Sequence, residues 1–243
     1  MRTANPALNN QVFIEAIHDE TKMTLQGTVG KTFFLLCLVV GSALVPWVAF
    51  GSGASGLAMG LAIPAALGGF VVALVTIFKK TWAPYTTPVY AVLEGVFLGA
   101  ISAWFNAQYP GIVVQAVGLT FGTLGGLLMA YTSGMIRATE NFKLGVVAAT
   151  GGIMLLYLTS FVLGFFGIDI PYIHGSGPIG ILFSMFVVVI AALNLVLDFD
   201  FIENGCEAGA PKYMEWYAAF GLLVTLVWLY LEILRLLAKL RRR

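Results

Sequence analysis

Charge is what this sequence has least of: of 243 residues, 13 are Lys or Arg and 12 are Asp or Glu, together 10%. A soluble domain typically carries about 25% charged residues, so a soluble globular protein is excluded. The formal net charge of +1 supplies no basic face for phosphates, and no nucleic-acid partner is expected. Histidine is scarce too, with two residues, His18 in the N-terminal stretch and His174 in a connection, both expected to be solvated. No histidine sits in an apolar stretch to activate a serine, and neither HExxH nor G-x-S-x-G occurs. The Gly-x-Gly-Asp signature of aspartyl intramembrane proteases is missing as well. Lys239 lies too near the end of the last apolar stretch to form a mid-membrane Schiff base. The expectation is therefore no enzyme and no resident cofactor. Cys37 in an apolar segment and Cys206 in a polar connection form no disulfide framework.

What the chain has in abundance is apolar sequence, 59% of residues, with a mean hydropathy of +0.92. Stretches long enough to cross about 30 Å of hydrocarbon fall at about 32–50, 57–78, 87–106, 112–133, 144–168, 178–200 and 214–239. The expected architecture is an all-α membrane protein of seven transmembrane helices. Residues 1–31 form a polar N-terminal arm without a signal-peptide pattern, 32–240 one transmembrane domain, and 241–243 a basic tail.

Arg2, Lys22, Lys31, Lys79, Lys80, Arg137, Lys143 and Lys212 all fall on the N-terminal side, and the first, third and fifth connections contain no Lys or Arg. The positive-inside rule then makes the N-terminus cytoplasmic. The tail, Lys239 and Arg241 to Arg243, emerges on the opposite side against that rule; either earlier helices fix the topology or one late segment is re-entrant. Rows of small residues recur at i, i+4: Gly56, Gly60, Pro64 and Gly68; Gly95, Gly99 and Ala103; Gly118, Gly122 and Gly126. Such rows are expected to be packing seams between helices.

Four carboxylates, Glu94, Asp198, Asp200 and Glu232, lie in or at the edge of apolar spans. An ionisable group there costs about 2.5–3.5 kcal/mol even on lenient insertion scales. Asp198 and Asp200 are about 200° apart around a helix, so they cannot share a face. The row Asn194, Asp198, Ile202 is expected to face the bundle, and Asp200 to sit with Glu203 at the cytoplasmic interface. A snorkelling Asp198 near its helix end is the alternative. Gly221, Thr225, Trp228, Glu232, Arg235 and Lys239 mark a polar seam along the last helix. Glu232 lies roughly 14 Å inside the tail's interface, and is either a working carboxylate or one half of an intrahelical pair with Arg235. Glu94, roughly 9 Å from the cytoplasmic edge, suits a structural pair or a transport role.

The sixth-span ending LVLDFDFIE and the last-span LYLEILRLLAKL resemble the Bax inhibitor-1 family, the transmembrane Bax inhibitor motif proteins with bacterial YccA-like and YetJ-like members. Glu94-Gly95 with Gly99, and Arg137 followed by Phe142 and Leu144-Gly145, add to the resemblance, which covers nearly the whole chain. It implies two three-helix layers around a central seventh helix. It also implies a pH-sensitive Ca²⁺ leak channel or Ca²⁺/H⁺ exchanger in the bacterial cytoplasmic membrane, controlled by acids from helices six and seven. Carried onto matching positions, those acids are Asp198 and Glu232, which would also offer oxygen ligands to the transported Ca²⁺. Candidates for the family's basic partner are Lys79, Lys80 and Arg137. Here the last-span acid is Glu rather than Asp and the stretch between the acids is longer than is common in the family; with the sixth span starting near Pro178, an axial gap of about 10 Å separates the two, so contact requires tilt, a bridging water, or a seventh helix that starts well outside the membrane. Resemblance to the YccA branch supports a second function, a membrane regulatory protein that binds a protease or translocon component through its N-terminal arm without transport. The partners implied are membrane lipid and either Ca²⁺ and H⁺ or such a membrane protein.

Overall fold

A computed structural model describes residues 22–167 and 175–242. Seven helices among them are long and apolar enough to span a membrane: α1 Leu25–Gly51, α2 Ser55–Phe78, α3 Ala83–Gln108, α4 Ile112–Thr132, α5 Glu140–Phe165, α6 Pro178–Glu207 and α7 Met214–Arg241. His18 and His174 and most of the N-terminal arm lie outside the described residues.

Several helices start earlier or run further than the apolar windows, two of them behind threonine side-chain caps. α1 begins at Leu25, inside the stretch read as arm, with the Thr24 side chain accepting from the Gly27 N–H. α3 begins at Ala83, with Pro84 in its first turn, and Pro88 is accommodated within the helix instead of starting it. α5 starts at Glu140 behind Thr139, whose hydroxyl accepts from Phe142 N. α6 continues to Glu207, so Asp198 stands nine residues, about 13 Å, inside its end. Before α4 the chain reverses through Gly111 at φ 81°, a left-handed conformation that a Cβ would strain.

The helices form two layers, α1–α2–α3 and α4–α5–α6, with α7 between them. In the first layer α3 is the middle helix, packed along both α1 and α2; in the second α6 touches both α4 and α5. α7 is packed against α6, α1, α4 and α3, and 61% of its most apolar window is buried, against 11% for α5. Leu223, Leu226, Leu229, Ile233 and Leu234 of α7 are the centre of the main core, joined by Leu35, Ala91, Ala116 and Leu195 from four other helices. A smaller cluster of Ile153, Val187 and Ile190 joins α5 to α6, with Trp228 of α7 packed against it.

The glycine rows divide. At Gly95 and Gly99 a Cβ would collide with the backbone of α1 at Val39 and Ala43, so this row is a packing seam, as expected. In the α2 row Gly68 faces Leu93 of α3, whereas Gly56 and Gly60, and all of Gly118, Gly122 and Gly126 on α4, border open space, which corrects that expectation for α4 and for the start of α2. α4 buries Ile112, Ala116 and Thr120 instead, and its glycines point away from that face.

Candidate functional site: an ionisable seam between α5, α6 and α7

The seam read along α7 is real and faces the second layer, as its partners show when followed from the N-terminal side of the bundle to the other. At the edge, Lys143 of α5 binds Asp200 of α6 at 2.9 Å and Glu140 at 3.3 Å. Asp200 thus sits at the interface, off the face of Asp198. Next comes Asp198, with Thr225 of α7 as its side-chain hydrogen-bond neighbour. Its Oδ2 is buried and has no hydrogen-bond partner, the one such side-chain atom among the described residues. One turn further along α6, Asn194 donates to Thr150 Oγ1 of α5 at 2.8 Å and to Ile190 O at 2.8 Å.

Glu232 is 2% exposed and fully engaged. Tyr157 of α5 donates to its Oε1 at 3.0 Å, and Arg235 Nη1 lies 2.9 and 3.1 Å from its two oxygens. Arg235 also donates to the Tyr157 hydroxyl at 3.0 Å and stacks over its ring at 5.4 Å. The intrahelical Glu232–Arg235 pair is therefore present, and a tyrosine from α5 joins it. At the far end Lys239, buried among α6 residues, donates to Gly180 O at 3.1 Å and Ser184 Oγ at 2.8 Å.

No hydrogen bond joins Asp198 to Glu232 among the described residues. Asp198 meets α7 at Thr225, and Glu232 follows Thr225 by two turns, about 10 Å. The two acids are separate stations on one seam. Among the described residues no three His, Cys, Asp or Glu converge as metal ligands.

The other expected residues lie elsewhere. Glu94 is buried between α2 and α3, with Tyr90 as its hydrogen-bond neighbour one turn back and Gly69 of α2 facing its Oε2. It belongs to the first layer. Arg137 lines a polar cavity of about 490 Å³ with Tyr131, Asp200 and Glu203 at the end of the seam, and the Tyr131 hydroxyl donates to Glu203. Lys79 caps the C-terminus of α2 and forms no ion pair among the described residues; Lys80 stacks over Tyr217 at 5.3 Å.

One buried acid was not singled out from the sequence. Glu215, at the first turn of α7, has a fully buried side chain and pairs with Lys31 of α1 and with Lys212 at 3.0 Å. Thr24 N and Oγ1 donate to it at 2.9 and 2.8 Å, and a Cβ at Gly27 would collide with its carboxylate. Met23 N donates to Ala210 O at 2.7 Å beside it, so the start of α1 is locked to the α6–α7 turn. The only local signal was Lys212 three residues before Glu215; the partners on α1 are 184 and 191 residues away.

Seven apolar helices in two layers around a central one, with most of the buried ionisable groups at the faces of that helix, define a polytopic integral membrane protein. The chain belongs to the Bax inhibitor 1 like family, whose sequence model matches residues 5–242. Neither a curated protein nor a solved structure matches it.

Proposed function

We propose that this protein is a pH-sensitive Ca²⁺ leak channel or Ca²⁺/H⁺ exchanger of the bacterial cytoplasmic membrane, with its N-terminus in the cytoplasm, and that it is not an enzyme. The route runs along the α5–α6–α7 seam. The observation that carries this reading is the buried, unpartnered Oδ2 of Asp198. Buried polar atoms are nearly always satisfied, and in hydrocarbon an uncompensated carboxylate is among the costliest groups. An oxygen left open at a helix interface is a position for a proton or a passing cation. With the proton on, Asp198 is neutral and α6 packs closely on α7; with the proton off, it presents an anionic oxygen to a hard cation. The polar cavity beside Asp200 and Glu203 supplies the hydrated, acidic approach from the N-terminal side. Glu232, held by Tyr157 and Arg235, acts as the second station and ties α5 to α7.

Purified protein in liposomes loaded with a Ca²⁺ indicator is expected to admit Ca²⁺ at a rate that changes with pH. Influx equal to that of empty liposomes at every pH would remove the proposal and leave the partner-binding reading, in which residues 1–25 would be required for capture of a membrane protein.

A further inference from the structure

A second feature of the fold faces lipid. Between α1 and α4, over a floor made by α3 and α7, lies a cleft of about 290 Å³, lined by Val39, Leu44 and Trp47 on one side and Val113 and Val117 on the other. Its size is at the lower edge of the roughly 300–1,000 Å³ typical of small-molecule sites. It lies in the half of the bundle nearest the C-terminus, since it uses the last half of α1 and the first turns of α4.

The chemistry of the lining selects the occupant. The hydroxyls in the cleft are already satisfied within the protein: Ser102 Oγ and Tyr230 OH are 2.6 Å apart, and Thr120 donates to Ala116 O at 2.8 Å. A polar ligand would find no free hydroxyl to bond, whereas a hydrocarbon chain loses nothing by entering. The same end of the bundle carries charge. Arg241, at the end of α7, donates to Pro110 O at 2.8 Å and Gln115 Oε1 at 3.0 Å. Pro110 stands just before α4, whose first turn carries Val113 of the lining, so the guanidinium lies within about a turn of the cleft's outer end, with exposed Arg242 next to it in the chain. No loop on this face contributes another Lys or Arg among the described residues. Two guanidinium groups at this end of the bundle offer a counter-charge to an anionic lipid headgroup, an attraction of about 1 kcal/mol per Lys or Arg near a charged membrane surface.

We infer that the α1–α4 cleft is a binding site for an anionic phospholipid, with an acyl chain along the cleft and the phosphate at Arg241 and Arg242. The full chain, in nanodiscs doped with phosphatidylglycerol carrying a photoreactive group in mid-chain, should be labelled at residues 36–47 and 113–121. The matching phosphatidylcholine should label these segments far less. Replacing Arg241 or Arg242 by Gln should lower phosphatidylglycerol labelling about fivefold each and leave phosphatidylcholine labelling unchanged. Val117→Trp should remove adducts from both segments with the arginines intact. Equal labelling by the two lipids, adducts spread evenly onto the exposed face of α5, or cross-links between two copies of the chain at the cleft would each overturn the assignment.

Discussion

At the scale of single residues, what separates the carboxylates is how many partners each has. Glu215 has two ammonium groups and a threonine, Glu232 a guanidinium and a phenol, Asp198 a single hydroxyl neighbour and one empty oxygen. The first is an anchor. Removing the charge in Glu215→Gln strips Lys31 of its partner beside a buried site, and hydrogen bonds to charged groups contribute about 1.5–3 kcal/mol. Thermal unfolding in detergent should show Glu215→Gln clearly less stable than the parent, with an Asp200→Asn change at the half-exposed Lys143 pair much milder; equal melting temperatures would contradict the anchor role. Asp198 and Glu232 were legible in the sequence because charge is rare in apolar surroundings. Their partners were not. Asp198 meets Thr225 because α6 runs on to Glu207, which sets the register of the α6–α7 interface, and no local pattern encodes that register. Tyr157 gave no signal at all, being one aromatic among many in an apolar helix.

At the scale of helices, the first layer is held by backbone proximity and the second by polar clasps. Gly95 and Gly99 let α1 and α3 touch, so Gly99→Ala must push the helices apart, at about 1–3 kcal/mol for an overpacked contact. Gly122→Ala on α4 enters open space and should be neutral or slightly stabilising, since alanine favours helix over glycine. Parallel melting curves of these two variants check the division, and equal destabilisation would refute it. The sequence pattern could not make this distinction, because identical i, i+4 spacing appears in both helices and only the neighbours differ. α5 is the least buried helix, and polar links at Lys143–Asp200, Thr150–Asn194 and Tyr157–Glu232 reinforce its small apolar contact with α6. In a Thr150→Val, Tyr157→Phe double variant, hydrogen exchange should accelerate in α5 and stay unchanged in α3. Uniform protection in both helices would show that apolar packing alone retains α5.

At the scale of the whole molecule, seven crossings and the loop charges set a topology with Lys79, Arg137 and Lys212 on one membrane face and Ser52, Gly111 and Arg241 on the other. With Cys37 and Cys206 replaced, single cysteines at Ser52 and Gly111 should react with an impermeant maleimide added to intact cells, and those at Lys79 and Ala138 only after lysis. The seven spans follow from hydropathy and the layered plan from the family resemblance, but the position of the proposed route required coordinates, since helix faces choose their partners through tertiary packing. The central claim is that the open oxygen of Asp198 is the ionisable station of this route. It is tested most directly by Ca²⁺ influx into proteoliposomes measured across pH for the parent, Asp198→Asn and Glu215→Gln proteins at matched protein content. The account predicts that Asp198→Asn loses the pH dependence and falls to the level of empty vesicles, whereas Glu215→Gln, once reconstituted, keeps it. An Asp198→Asn protein with the parent's influx and pH profile would contradict it.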